Sequence, residues 1–222
     1  MGKSYFITGT GTGVGKTFVT TVLTRQLRAR GGSVRAIKPI ISGYYDGDKT
    51  SDSVLILASL DLPITPENIA KISPWRFAAP LSPDMAAKRE GREIILDEVV
   101  GFCKENSRAT DTLIIEGVGG VLVPLNDTHT VRDWIAEVDA EVIVVAGSYL
   151  GAINHTLCTI EALIAKNLPI KALIISESEN PAAPLAEVAA SIQKFIAKNL
   201  PIILLPRHND GEIIPDISDI IV

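Results

Sequence analysis

Six short runs in this chain are apolar at nearly every position: residues 5–8, 34–37, 113–115, 142–145, 172–175 and 202–204. A strand with one wet face alternates apolar and polar residues, whereas a strand covered on both faces does not. The runs therefore predict a mostly parallel sheet with no solvated face. Between them lie longer stretches, 16–30, 53–60, 97–105, 131–137, 154–166 and 185–198, with apolar residues at three- and four-residue spacing. That period predicts helices, and strands alternating with helices make a three-layer α/β/α fold. At roughly 100–200 residues per domain, 222 residues are read as a single domain, 1–222. A chain of this size holds a continuous core without disulfides or structural metal.

The remaining segments are less regular. Residues 61–93 contain Pro63, Pro66, Pro74, Pro80 and Pro83, so this stretch is expected to be a loop excursion over the sheet edge. Residues 164–170 and 196–202 repeat the same seven residues, Ile-Ala-Lys-Asn-Leu-Pro-Ile. Each copy is read as a helix end with Lys in its last turn, Asn as a left-handed cap and Pro barring continuation.

Charge and composition exclude several classes of partner. The chain has 21 basic and 26 acidic residues, for a net charge of −5. No Lys/Arg run forms the stripe that a phosphate backbone requires, so no nucleic acid and no membrane surface is expected as a partner. The N-terminus runs straight into a strand-like segment without an export signal, and the longest apolar stretches are too short to span a bilayer. Cys103 and Cys158 lack metal-type spacing and are expected to be reduced, partly buried thiols. These features together predict a cytoplasmic protein.

The first apolar run leads into Gly9-Thr10-Gly11-Thr12-Gly13-Val14-Gly15-Lys16-Thr17 and then directly into the first helix. Strand, glycine-rich loop and helix start form a phosphate cradle: backbone N–H groups turn inward, the helix end adds partial positive charge, and Lys16 reaches the outer phosphates. The Thr17 hydroxyl is a magnesium ligand in such a loop. Thr10 stands where the strict pattern wants its first glycine, making this a loop one residue longer.

Other polar groups stand at strand ends, where open parallel sheets bind ligands. Glu116 closes the run Thr112-Leu113-Ile114-Ile115 and precedes Gly117-Val118-Gly119-Gly120. It is a candidate magnesium-side acid, with turn capping as the alternative. Lys38 follows the second run, with Ser42-Gly43 just beyond; a solvated lysine is its bland reading. Asp52 precedes a helix and could cap it or bind metal. Gly151-Ala152-Ile153-Asn154-His155 opens another helix and offers free N–H groups. His155 has no ligand companion at motif spacing and is read as structural.

Taken in order, residues 9–17, Lys38-Pro39-Ile40-Ile41-Ser42-Gly43, Asp52, Phe77-Ala78-Ala79-Pro80-Leu81-Ser82-Pro83, residues 116–120 and residues 151–155 resemble the dethiobiotin synthetase family. The resemblance covers most of residues 1–175. It implies an α/β fold of the P-loop NTPase type, with ATP and Mg2+ as cofactors. The implied reaction joins 7,8-diaminononanoate and carbon dioxide through a carbamate and a carbamic-phosphoric anhydride, giving dethiobiotin, ADP and phosphate. The resemblance places Thr12, Lys16, Lys38 and Ser42 around carbamate and γ-phosphate, and Thr17, Asp52 and Glu116 around magnesium. It assigns Gly13, Val14, Gly15, Glu116, Gly119 and Ser176 to the nucleotide. Ser42, Gly117 and Val118 fall to the diamine. The diamine's distant carboxylate is implied to rest on Gly151, Ala152, Ile153 and Asn154 of a neighbouring subunit, and hence in a homodimer.

The chain departs from the family pattern at two places. Gly11 and Gly13 stand where many members carry Asp and Glu, removing one magnesium-side carboxylate. Ser176 stands where many members carry an adenine-reading Asn, which predicts relaxed base selectivity and use of other nucleoside triphosphates. A partition-type ATPase switch would need a second lysine early in the loop, where this chain has Gly11. Corrinoid amidases carry an additional glutaminase domain, for which 222 residues leave no room. A regulatory nucleotide-binding module is the remaining alternative, distinguished by hydrolysis that ignores the diamine.

Overall fold

The computed structural model describes residues 2–208 and 213–221. Along the chain run β1 (Lys3–Gly9), α1 (Lys16–Ala29), β2 (Val34–Ile37), β3 (Ile40–Ser42), α2 (Asp52–Ser59), α3 (Pro66–Ile72), β4 (Trp75–Phe77), α4 (Pro83–Arg89), α5 (Leu96–Arg108) and β5 (Thr112–Glu116). There follow α6 (Val131–Glu137), β6 (Glu141–Ala146), α7 (Ala152–Ile164), β7 (Ile170–Ser176), α8 (Leu185–Gln193), β8 (Ile202–Leu205) and a 3-10 turn at Ser218–Ile220.

The main sheet has six strands in the order β2-β5-β1-β6-β7-β8, and all neighbours run parallel. Crossovers between parallel strands are right-handed. The step from β1 to β2 runs one way along the sheet, while the steps from β6 to β7 and β7 to β8 run the other. The α1 connection therefore covers one face and the α7 and α8 connections cover the opposite face, as the apolar strands require. The order reverses at β1, so the loop leaving its carboxyl end opens into a topological switch point.

Burial follows the pattern of the runs. Tyr5, Phe6 and Ile7 on β1, Leu113 to Ile115 on β5 and Val142 to Val145 on β6 are almost wholly excluded from solvent. Phe6 meets Trp134 of α6 edge to face, with ring centroids 4.7 Å apart. Burying a side chain of this kind contributes roughly 1.5–3 kcal/mol.

Three expectations are corrected. Residues 61–93 are not a loop but carry α3, β4 and α4. Pro66 and Pro83 stand in the first turns of α3 and α4, where the missing N–H is no loss and the fixed φ suits the helix. β3 and β4 pair in a separate two-stranded parallel sheet. The two copies of the repeat also differ. After α7, Asn167 adopts φ 54°, the left-handed cap expected, although Lys166 lies beyond the helix rather than in its last turn. Before β8, α8 already ends at Gln193, and Asn199 is not left-handed. Finally, the cysteines are free but not alike, Cys103 being buried and Cys158 exposed.

Candidate active site

The phosphate loop leaves β1 held on both sides of the sheet. Thr10 N donates to Val145 O at 3.0 Å and Gly117 N donates to Ile7 O at 2.9 Å, so loop, β5 and β6 are fixed relative to one another. Gly13 and Gly15 adopt φ 73° and 97°, a region costly for side-chain-bearing residues. At Gly15 a Cβ would also lie 2.7 Å from Ser176 Oγ. Gly15 is the N-cap of α1 and supplies no side-chain cap, which leaves the first N–H groups of α1 directed toward the loop. Lys16, the first residue of α1, is buried and donates from Nζ to Gly11 O at 2.7 Å.

Four side chains from four elements converge beside this loop. Lys38, just past β2, donates from Nζ to Glu116 Oε1 at 2.7 Å and also to Asp52 Oδ2. Thr17 Oγ1 on α1 stands 2.8 Å from Asp52 Oδ1 and 2.6 Å from Glu116 Oε1. Glu116 is the last residue of β5 and wholly buried, and Lys38 is 5% exposed. The solvated-lysine reading of Lys38 fails, because two carboxylates hold it inside the fold. The turn-capping reading of Glu116 fails too, since its bonds go to the Thr17 and Lys38 side chains. Asp52 is the first residue of α2 while Ser51 is the N-cap, and the Asp52 carboxylate turns to Thr17 and Lys38.

The electrostatics follow from this packing. Burial depresses the Lys16 amine, with the nearby Lys38 charge adding to the effect, and brings it to about 8. Burial works against the Lys38 ammonium as well, but Glu116 and Asp52 outweigh it and hold Lys38 above the ordinary lysine range. Asp52 is lowered by Lys38 and Thr17 despite its own desolvation. Two positive and two negative groups thus share one low-dielectric corner.

A cavity of about 440 Å³ opens on this corner, lined by Lys16, Thr17, Lys38, Ser42, Asp52 and Glu116 and also by Thr12, Gly13, Gly15, Val118 and Gly119. Val14 is buried under the loop. Gly117 is buried against the Phe6 ring, where a Cβ would approach to 2.7 Å. Gly151, Ala152, Ile153 and Asn154 stand apart at the start of α7, with Gly151 as N-cap at φ 98°, and are not among the residues lining this cavity. His155 is exposed and its Nδ1 lies 2.8 Å from the Tyr149 hydroxyl.

A second cavity, about 550 Å³, lies on the other side of the loop. Ser176 lines it together with Thr12, Gly13, Val14 and Gly15, and so do Phe18, Tyr149, residues 177–180 and residues 206–208. Apart from Ser176, its walls outside the phosphate loop were not singled out from the sequence. They come from loops after β6, β7 and β8, the carboxyl ends where a parallel sheet places ligands, and from Phe18 beside Thr17.

Comparisons with known proteins agree with this geometry. Residues 3–209 match a family described as an AAA domain. The chain is 43% identical over 209 residues to the ATP-dependent dethiobiotin synthetase BioD of Acidiphilium cryptum, covering 93% of this chain and 94% of that one. It is 44% identical over 199 residues to the protein of the same name from Methylobacterium nodulans, covering 86% and 88%. Among solved structures, a ParA family ATPase from Chlorobium tepidum aligns with TM-score 0.53 at 16% identity, over 95% of this chain and 87% of that chain. The signal recognition particle receptor FtsY from Elizabethkingia anophelis aligns with TM-score 0.53 at 16% identity, over 91% of this chain but only 57% of the receptor. At that identity the two structures speak to the fold, which is α/β of the P-loop NTPase type. With identities of this size to the two synthetases over most of both lengths, the chain belongs to the dethiobiotin synthetase family.

Proposed function

We propose that residues 1–222 act as one synthetase domain that catalyses ATP-dependent ring closure of 7,8-diaminononanoate with carbon dioxide, releasing dethiobiotin, ADP and phosphate. The observation that carries this reading is the convergence of Lys16 and Lys38 with Thr17, Asp52 and Glu116 on one cavity beside the phosphate loop. No side chain there is placed as a nucleophile, and none is needed. A carbamate formed on one amine attacks the γ-phosphate, and the second amine then displaces phosphate from the mixed anhydride as the ring closes.

In this scheme the chain's residues position reactants and stabilise charge. The backbone N–H groups of Gly13 to Lys16, Val14 included, hold the phosphates. Lys16 and Lys38 face an anionic carbamate and an anionic phosphoryl group, where preorganised positive charge acts most strongly in the transition state. Thr12 and Ser42, on the rim of the same cavity, orient the carbamate. Val118 and Gly119 form the wall against which diamine and phosphates lie, and Gly117, expected there from the sequence, packs behind it on the Phe6 ring.

The oxygens of Thr17, Asp52 and Glu116 fit a magnesium ion. Thr17 Oγ1 has carboxylate oxygens of both Asp52 and Glu116 within 2.8 Å, so the three oxygen donors are already gathered at one point. Among the described residues Glu116 Oε2 is buried without a partner, and a hard oxygen donor set with one or two carboxylates suits magnesium. Held by Thr17, Asp52 and Glu116, magnesium would supply positive charge that offsets the charge of the phosphates.

The working unit is a homodimer in which Gly151, Ala152, Ile153 and Asn154 of one subunit receive the diamine's carboxylate at the other subunit's site. Ala152 N is taken up by Tyr149 O at 3.0 Å, so the expectation of free N–H groups holds only for the following residues of the turn. The Ile153 and Asn154 N–H groups support the dimer, as does Leu150, which stands 90% exposed beside them. Light scattering that gives a monomer at working concentration would remove this part. Among the described residues no helix is long and apolar enough to cross a membrane. The free thiols of Cys103 and Cys158 suit a reducing cytoplasmic setting.

The test is ADP release with magnesium-ATP and bicarbonate, with and without 7,8-diaminononanoate, alongside mass spectrometry for dethiobiotin. Release that depends on the diamine, with dethiobiotin formed, is the expected result. Release that ignores the diamine would overturn the synthetase reading and favour a nucleotide-controlled regulatory module.

A further inference from the structure

The cavity on the far side of the phosphate loop has a feature that the reaction itself does not call for. Phe18, on the first turn of α1, is 37% exposed although the rest of that turn is largely covered. Its ring faces His208, which follows β8. The two ring centroids are 6.4 Å apart and the planes are inclined by 30°. Both rings line the 550 Å³ cavity, and Phe18 also borders the cavity that holds Lys16 and Lys38. An exposed aromatic at the junction of two polar cavities is a poor choice for solubility and a good one for stacking.

The loops around this cavity are tied to one another. Ser148 N donates to Ser178 Oγ at 2.9 Å and Ser178 N donates to Ser148 Oγ at 3.0 Å, a reciprocal bridge between the loops after β6 and β7. Glu177 is tied to the loop after β8 by accepting from Arg207 N at 2.9 Å. Ser176, by contrast, packs against the phosphate loop, its Oγ lying 2.7 Å from where a Gly15 Cβ would stand. Its hydroxyl is thus set against the loop that cradles the phosphates.

We propose that Phe18 and His208 hold the nucleobase by stacking and that this pair, rather than hydrogen bonding at residue 176, sets base selectivity. The inference rests on the nucleotide reading above and names how the base is bound. Stacking uses the π-face that every base possesses, so it tolerates different base edges. The expected preference is for purines over pyrimidines, because a larger ring covers more aromatic surface, with ATP and GTP within about tenfold of each other.

The experiment measures dissociation constants of non-hydrolysable ATP, GTP and CTP analogues and of inorganic tripolyphosphate, for the full-length chain and its Phe18→Ala, Phe18→Trp and His208→Ala variants. Phe18→Ala is expected to weaken the ATP analogue by roughly 5- to 150-fold, the ~1–3 kcal/mol of one base–aromatic stack, while tripolyphosphate binding stays within twofold. Phe18→Trp keeps or improves affinity, which a merely misfolded site would not do. His208→Ala weakens the base-bearing ligands in the same selective way. Equal losses for tripolyphosphate and nucleotide, or no loss in Phe18→Ala, would overturn the proposal. An ATP analogue bound more than 100-fold tighter than the GTP analogue would also overturn it, because edge reading would then dominate. If the unaltered chain binds neither nucleotide nor tripolyphosphate, the nucleotide reading itself falls, and that result is distinguishable from failure of the stacking pair.

Discussion

Lys38 shows how much one residue's meaning depends on what surrounds it. In sequence it is a lysine leaving a strand, the most ordinary of surface residues; in the fold it is held by Asp52 and Glu116 inside the protein. A lysine kept charged in such a place stabilises charge that develops during reaction rather than ground-state affinity. Lys38→Ala is expected to lower kcat by ~10²–10³, the scale of losing one preorganised electrostatic group, while nucleotide affinity changes little. Paired turnover and equilibrium binding measurements check this, and unchanged turnover would take Lys38 out of the site. For Glu116 the expected consequence concerns the cation. In Glu116→Gln the affinity for a non-hydrolysable nucleotide should become nearly indifferent to magnesium, and a magnesium dependence equal to that of the unaltered chain would remove Glu116 from the cation's ligands. Glu116 was legible in sequence because an unpaired carboxylate closing an apolar strand is costly to bury, whereas Lys38 stood out only as part of the ordered set of motifs that resembles the family. Phe18 and His208 were not legible, since an aromatic on a helix and a histidine after a strand have no spacing that links them until β8 is laid beside β7.

Legibility of the elements followed length and environment. The inner strands of the main sheet announced themselves because both their faces are buried and their runs are continuous, while the edge strands β2 and β8 are less covered, with Arg35 exposed on β2 and Ile202 to Leu204 half-buried on β8. β3 and β4 have three residues each, too few for any period to emerge, and the prolines around them read as breaks when two of them are helix starts. The short α6 was legible to both of its ends from its apolar spacing alone, and the structure adds the cap that fixes its start. Thr130 and Asp133 form a capping box in which the Asp133 carboxylate accepts from Thr130 N at 2.9 Å and from its hydroxyl at 2.8 Å. Although burial works against it, these two bonds and the Lys166 ammonium hold Asp133 down to about 2. The unfolded chain's carboxyl titrates near ~3.9, so the folded state binds its proton later. The stabilisation is complete above that value and is lost as pH falls toward about 2. Asp133→Asn is therefore expected to cost ~1 kcal/mol at pH 6, the scale of a helix cap, and the difference from the unaltered chain should vanish near pH 2. Urea unfolding at several pH values measures both, and a gap that persists undiminished at pH 2 would contradict the assignment.

At the scale of the whole molecule, the least legible part was the end of the chain, where the resemblance to the family fades. The structure gives the described part of that segment, residues 213–221, a definite task. It returns beneath α1, with Ile217 and Ile221 buried at 2% and 4% exposure. The Tyr5 hydroxyl donates to Ile221 O at 3.0 Å, and Ile217 N donates to Gln26 at 2.9 Å. Arg30 adds ion pairs with Asp216 and Asp219, but these are solvent-exposed and contribute little. The apolar burial is what matters, and it joins the chain's last residues to β1, the strand that carries the phosphate loop. A chain truncated after Ile213 should lose ~3–6 kcal/mol, the burial of two isoleucine side chains, as an upper range for area removed from water. Cys103 offers a direct reporter. Burial pushes its thiol up to about 12, so at pH 8 it reacts with a thiol reagent only when the fold opens. The loss of ~3 kcal/mol corresponds to roughly a hundredfold larger open population, so Cys103 labelling in the truncated chain should accelerate by about that factor. An unchanged rate would mean that the segment lies on the core without supporting it.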